Sequence, residues 1–220
     1  GWAFREGRAV GESVAADLSD ASAVQGLFEG LDAGVHLAGD PDPMGSWESM
    51  LKNNISATYN VLDECQRAGV KKVVFATTNH TQHGITMGDA PDVLDETKRV
   101  MHRLDDPLNA TSLYGVSKAT GEQLGRYFAT HHGIQFVGLR IGATGKSDTP
   151  KDYDGRPSAS YVQAMFLSYR DLITAFTLAL NVETEFMLAY AISNNDSKIF
   201  DLRETNDQLG FYPEDNSANY

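Results

Sequence analysis

Three features of this 220-residue chain predict a layered α/β fold built on a doubly wound parallel sheet. Short apolar runs that read as strands (residues 34–39, 71–80, 134–142 and 186–192) alternate with longer stretches whose apolar residues recur at helical spacing. The strand-like runs are nearly continuous in Val, Leu, Ile and Phe, as expected for strands covered on both faces. The intervening stretches are long enough to cross over between parallel neighbours. One domain spanning residues 1–220 is the natural reading for a chain of this length with 41% hydrophobic residues, enough to bury one core.

At the start, Trp2-Ala3-Phe4 reads as the tail of one strand and Val14 to Leu18 as the end of another. Ser19 or Asp20 then caps a predicted helix through Ala23, Val24, Leu27 and Phe28. Gly34-Val35-His36-Leu37-Ala38-Gly39 is a strand that breaks on small residues, and His36 inside it reads as a core histidine. After the loop Asp40 to Gly45, residues 47–69 carry Met50, Leu51, Ile55, Tyr59, Val61 and Leu62 at helical spacing, ending at Gly69. Asn53-Asn54 is awkward there, because Asn competes for backbone hydrogen bonds in a helix interior.

Residues 83–109 form a long polar stretch with a short helix expected near 94–103, and residues 146–160 form a second; such stretches are usually lids or mobile segments. Between them lies a helix beginning near Tyr114, with Gly133 as its C-cap. Ser168 and Asp171 fit a capping box opening an apolar helix, and residues 202–209 form a short helix closed by Gly210. A dinucleotide fold should open on a strand, a Gly-rich turn and a helix, and nothing before Asp17 has that form. The chain as given is therefore expected to begin within the second strand, with roughly 30 to 40 residues of such a unit upstream.

Thirty acidic against eighteen basic residues give a formal charge of -12, which argues against a nucleic-acid backbone or an anionic membrane as partner. The acid is scattered in the manner of a halophilic surface, although an ordinary acidic cytosolic enzyme would also carry it. No apolar run approaches the roughly 18 residues of a membrane span, and no signal-peptide pattern is seen, so a cytoplasmic protein is expected. Cys65, the only cysteine, falls in a helical segment and reads as a packing residue.

Chemistry is concentrated in Tyr114-Gly115-Val116-Ser117-Lys118. Four residues apart on a helix, a phenol and an ammonium lie on one face, where the cation favours the phenolate and equips Tyr114 for acid–base work. The strand at 71–80 ends in Thr77-Thr78-Asn79-His80, delivering hydroxyls, an amide and an imidazole to the carboxyl edge of the sheet, where such folds bind ligands.

Taken with Ile134 to Gly142, these pieces resemble the extended short-chain dehydrogenase/reductase family, which includes the NAD-dependent epimerases and dehydratases. The resemblance implies a Rossmann-type fold and a catalytic triad of Thr78, Tyr114 and Lys118. It implies cofactor contacts from Asp17, Leu18, Leu37, Ala38, Gly39, Asn54, Tyr114, Lys118 and Ile141, and no metal. Within the family, Thr77 to His80, Leu139 to Gly142, Ser193 to Asn195 and Pro213 to Ser217 are similar to haloarchaeal sugar dehydrogenases, including those acting on glucose 6-phosphate, and to uronate dehydrogenases. The implied reaction oxidises glucose 6-phosphate, an aldose or a hexuronate at the anomeric carbon to a lactone, with NAD as acceptor. Thr78, Asn79 and His80 would meet the sugar, with substrate-binding elements in 81–112 and 144–220. A uronate-binding arginine lacks an obvious counterpart; Arg156 and Arg170 are the candidates, and Arg170 is carried as a substrate contact, with a surface ion pair as its alternative. Glu6 would favour NAD and Arg5 NADP, so NADP stays open. A homo-oligomer is a family expectation. The other classes weighed are a nucleotide-sugar 4-epimerase with tightly bound NAD, a dehydratase, disfavoured because Asn79-His80 stand where an Asp-Glu pair is needed, and a non-catalytic dinucleotide-binding regulator.

Overall fold

The computed structural model describes residues 2–5 and 8–11 by their backbone, and residues 13–82, 95, 97, 99 and 101–220 with side chains. Its centre is a four-stranded parallel sheet of β3 (Ala33–His36), β4 (Lys72–Thr78), β5 (Gln135–Ile141) and β6 (Phe186–Ala191), in that spatial order. Consecutive strands are neighbours, and among the described residues nothing pairs with the other edge of β3. The expected parallel sheet is present; a reversal of strand order is not contained in these four strands.

Side-chain alternation along β4 and β5 divides the core in two. Val73, Phe75 and Phe136 pack with Val61, Leu62, Cys65 and Phe128 from helices α3 (Ala57–Ala68) and α4 (Leu113–His132). Val74, Val137 and Leu139 face the other way, onto Ala175 and Ala179 of α6 (Tyr169–Asn181). A third cluster joins α5 (Ala159–Met165) to Tyr190, Ile192 and Phe200. Helix α4 comes unusually close to the sheet because Gly121 leaves room for the Phe75 ring; a Cβ there would lie 2.6 Å from it. Cys65 is buried in this packing, as expected.

Several elements depart from the sequence expectations. The first two strands, β1 (Trp2–Arg5) and β2 (Arg8–Gly11), form a separate antiparallel hairpin, and residues 13–17 are not a strand. The helix predicted through Phe28 is a single turn, α1 (Ala21–Val24), capped by Asp20; Gly26 then adopts φ +78 and turns the chain. The stretch 47–69 is interrupted: α2 (Trp47–Ser49) passes into a π-helical segment, Met50–Ser56, before α3 resumes and stops at Gly69 with φ +74. The awkward Asn53-Asn54 pair lies inside that π segment.

Of the helix expected at 94–103, residues 94, 96, 98 and 100 lie outside the described residues, and among the others the Arg99 N–H bonds the Asp95 carbonyl at 2.9 Å. Its end is extended instead, His102 bridging to Phe200. Residues 146–160 are ordered into a short 3-10 turn, Pro150–Tyr153, leading to α5. Ser168 does cap α6 by accepting from the Asp171 N–H, but Asp171 does not return the bond as a capping box would. Its carboxylate accepts from Ser193 and from the backbone N–H groups of Glu214 and Asp215, fastening the C-terminal segment to the helix. The final helix, α7 (Arg203–Leu209), ends at Gly210 as predicted.

Candidate active site

The carboxyl ends of β3, β4 and β5 enclose a cleft of ≈ 130 Å³ lined by Leu37, Gly39, Asp40, Pro41, Ala76, Thr77, Thr78, Tyr114, Lys118, Ile141 and Gly142. Larger surface hollows exist elsewhere, but this one holds the paired phenol and ammonium. Helix α4 supplies Tyr114 and Lys118 because Ser112 caps its first turn, accepting from the Gly115 N–H, and fixes where the helix begins. Gly115 lets that turn rest on the backbone at His80, since a Cβ would sit 2.5 Å from the His80 carbonyl oxygen.

Lys118 is 5% exposed, and its Nζ donates to the Ala76 carbonyl at 2.8 Å. The same nitrogen stands 4.9 Å from the Phe75 ring centre and 6.0 Å from that of Tyr114. Burial lowers its pKa from 10.5 to about 8. Tyr114 departs from expectation: burial pushes its phenol up, with a hydrogen bond to Thr78 opposing that rise. In this state the ammonium does not bring the phenol below its ordinary range.

Thr78 is buried at the end of β4; its hydroxyl donates to Asn79 Oδ1 at 3.2 Å and accepts from the His80 N–H at 3.3 Å. The His80 ring meets Tyr114 edge-on at 5.7 Å, and burial lowers its pKa, so it is neutral near pH 7. Asn79 is 1% exposed, its amide nitrogen 3.4 Å from the Tyr161 hydroxyl and 2.7 Å from the Met165 sulfur. It is buried and is not among the residues that line the cleft, whereas the resemblance put it against the sugar.

Asn54 is delivered by the π-helical segment and ties the β3 end to α4. Its Oδ1 accepts from the Asp40 N–H at 2.6 Å, and its amide nitrogen donates to the Asp40 carbonyl at 3.1 Å and to Ser117 Oγ at 2.8 Å. Gly39 passes so close that a Cβ would lie 3.0 Å from Asn54 Oδ1 and 3.5 Å from Lys118 Nζ. His36 is a core residue, bonded to Thr58 Oγ1 at 3.0 Å and lowered to about 4 by burial and then by the Lys118 charge.

The structure thus brings Leu37, Gly39, Thr78, Tyr114, Lys118 and Ile141 to one cleft, with Asn54 and His80 against its walls. It does not bring Asp17, Leu18 or Arg170 there. Asp17 pairs with Lys52 at 3.1 Å on the surface, and Leu18 packs beside α3. Arg170 is held by Asp215 at 2.5 Å and Glu214 at 3.1 Å, the surface ion pair weighed as its alternative. Glu6 lies outside the described residues. Sequence reasoning missed Ser117, Tyr161 and Met165, none of which carries a local signal of its role.

The pattern of the NAD dependent epimerase/dehydratase family matches residues 3–165. The chain belongs to that family. It is 38% identical over 213 residues to the NAD-dependent glucose-6-phosphate dehydrogenase of Haloferax volcanii, covering 95% of this chain and 78% of that one. Identity to the L-arabinose 1-dehydrogenase (NAD(P)(+)) of the same organism is 37%, over 94% of this chain and 84% of the relative. Among solved structures, a mutant uronate dehydrogenase from Agrobacterium tumefaciens complexed with NAD superposes with a TM-score of 0.76 at 25% identity, covering 94% of this chain and 70% of that one.

The cleft's donor set suits a nicotinamide ribose. Lys118 donates to a single backbone carbonyl among the described residues, Gly39 allows close approach of a ligand to the backbone, and Leu37 and Ile141 offer apolar contact. No described helix is long and apolar enough to cross a membrane.

Proposed function

We propose that this protein is an NAD-dependent dehydrogenase that oxidises a cyclic sugar at its anomeric carbon to the lactone. The observation that carries this reading is the convergence of Thr78, Tyr114 and Lys118 on one strand-end cleft, supported by relatives named as sugar dehydrogenases. When NAD is bound, its nicotinamide ring supplies the acceptor for the hydride from the anomeric carbon. Tyr114 takes the proton of the anomeric hydroxyl as the C–H bond breaks. Thr78 turns its hydroxyl from Asn79 to the sugar oxygen and holds it in line. Lys118, charged below about pH 8, bonds the nicotinamide ribose and favours the anionic form of Tyr114.

His80, neutral and against Tyr114, is placed to bond a sugar hydroxyl. Arg170 could take a substrate anion only by leaving Asp215 and Glu214. The test is reduction of NAD and of NADP with glucose 6-phosphate, free aldoses and hexuronates, at low and high salt. Tyr114→Phe should lower kcat by roughly 100- to 10,000-fold while NADH binding is retained; unchanged turnover would overturn the assignment of the base.

A further inference from the structure

The core holds an ion pair that the reaction does not touch. Glu122 is fully buried and Arg140 is 2% exposed. Arg140 Nε donates to Glu122 Oε1 at 3.0 Å and Nη2 to Oε2 at 2.8 Å, a two-point contact. Glu122 Oε1 also accepts from Thr77 Oγ1 at 2.8 Å. Buried pairs of this kind can often be replaced by apolar residues without loss of stability, so stability alone is a weak reason for one in a core.

Their placement supplies a better reason. Tyr114, Lys118 and Glu122 recur every four residues and share one stripe of α4. Thr77 is the neighbour of Thr78 on β4, and Arg140 lies opposite Thr77 on β5. The pair therefore sets the height of the helix bearing the phenol and ammonium against the strand bearing the hydroxyl. Its third arm reaches the loop at 103–106: Arg140 Nη1 donates to the Leu104 carbonyl at 3.2 Å. Tyr190 donates to the Arg103 carbonyl at 2.9 Å, and Gln82 Nε2 to the carbonyls of Arg103, Leu104 and Asp106. Just beyond, the Asn109 N–H bonds Thr81 O at 3.0 Å, so the loop braces the turn that carries His80.

We propose, resting on the dehydrogenase reading, that Glu122 and Arg140 are positioning residues: their ion pair fixes Tyr114 and Lys118 in register with Thr78 and couples that register to the loop beside the sugar-facing turn. The helix moves as a rigid unit, and a displacement of about 1 Å at a reacting group can cost on the order of 100-fold in rate.

The test compares the wild type with the double variant Glu122→Met plus Arg140→Met, whose apolar side chains fill similar space. Lys72→Met serves as a control for loss of a buried cation elsewhere. Lys72 caps the far end of α6 through the carbonyls of Leu180 and Val182, away from the cleft. Each protein is measured for melting temperature, kcat, sugar KM, NADH affinity and the ultraviolet difference titration of the Tyr114 phenol, taken against Tyr114→Phe. The titratable groups facing that phenol are Lys118 on its own helix and His80 from the turn after β4, with His36 of β3 behind Lys118.

The double variant should fold and lose about 10- to 100-fold in kcat, with KM and NADH affinity within about threefold. Its phenol should titrate at a different pH from the wild type's. Lys72→Met should melt lower and keep both its kcat and its phenol titration. A folded double variant with wild-type kcat and an unmoved titration would overturn the proposal. If the double variant does not fold, Glu122→Gln takes its place, retaining shape and the Thr77 bond, with the same two readouts deciding. Should the wild type oxidise no sugar with either nucleotide, the dehydrogenase reading fails, and the phenol titration by itself decides the positioning.

Discussion

Replacing Lys118 by Met should inactivate the protein and yet make it more stable at neutral pH. Lys118 is 5% exposed, and its described hydrogen bond goes to a neutral acceptor, the Ala76 carbonyl. Burial lowers its pKa from 10.5 to about 8. At roughly 1.4 kcal/mol per tenfold change, keeping the ammonium charged in the fold costs about 3 kcal/mol as an upper bound. The sign follows from proton counting: between pH 8 and 10.5 the unfolded chain binds more protons at this residue than the folded one, so stability rises with pH across that window. The penalty is complete below about pH 8 and gone above 10.5.

Methionine fills similar space without the charge, and loss of the Ala76 hydrogen bond offsets part of the gain. Denaturant unfolding at pH 7 should therefore show Lys118→Met more stable by about 1–3 kcal/mol, a difference that shrinks as pH approaches 10.5. A variant less stable than wild type at pH 7, or a difference independent of pH, would show that the ammonium is well solvated in the fold.

The pH profile of kcat/KM tests the same electrostatics in the active protein. With the phenol pushed up by burial and Lys118 lowered to about 8, the form with anionic Tyr114 and cationic Lys118 grows with pH and stops growing near pH 8, so activity should climb through neutrality and level there. A profile flat from pH 6 to 8 would contradict it. Asn54→Ala removes the bonds to Asp40 and Ser117 that join the β3 end to α4; NADH binding should weaken, and stability should fall by about 1–3 kcal/mol, as read by fluorescence titration and urea unfolding. Gly115→Ala drives a methyl against the His80 carbonyl, 2.5 Å away, and should lower kcat by about tenfold or more, measured by steady-state kinetics, even though Ala is the better helix former.

What the sequence revealed and what it hid divide along the range of the interactions involved. Strands β4, β5 and β6 are legible because burial on both faces demands continuous apolar runs, and the glycines at 69, 133 and 210 are legible because each helix end requires a positive φ there. The short α1 was over-read because apolar spacing continues through Leu27 and Phe28, while Gly26 at φ +78 ends the helix first. The π-helical segment left one trace, the ill-suited Asn53-Asn54, whose cause is the need to turn Asn54 toward Asp40 and Ser117. Tyr114 and Lys118 could be found from their spacing once the strand ending at Thr77 to His80 and the run Ile134 to Gly142 stood on either side of them. Arg170 could be seen as an arginine, but the carboxylates that hold it lie more than forty residues further along the chain.

The same distinction governs the surroundings of Lys118. Glu122 lies one turn further along the same stripe of α4 and, left alone, would be a natural i, i+4 partner for the ammonium. Such a partner would restore the Lys118 pKa toward its ordinary value and cancel its field at Tyr114. Glu122 is instead committed to Arg140 and Thr77, contributed by two different strands. Lys118 is left bonded to a carbonyl, with the Tyr114 ring 6.0 Å away. The Y-x-x-x-K spacing places the two groups on one helical face; the sheet behind it, through Arg140, keeps the ammonium's charge available to the phenol.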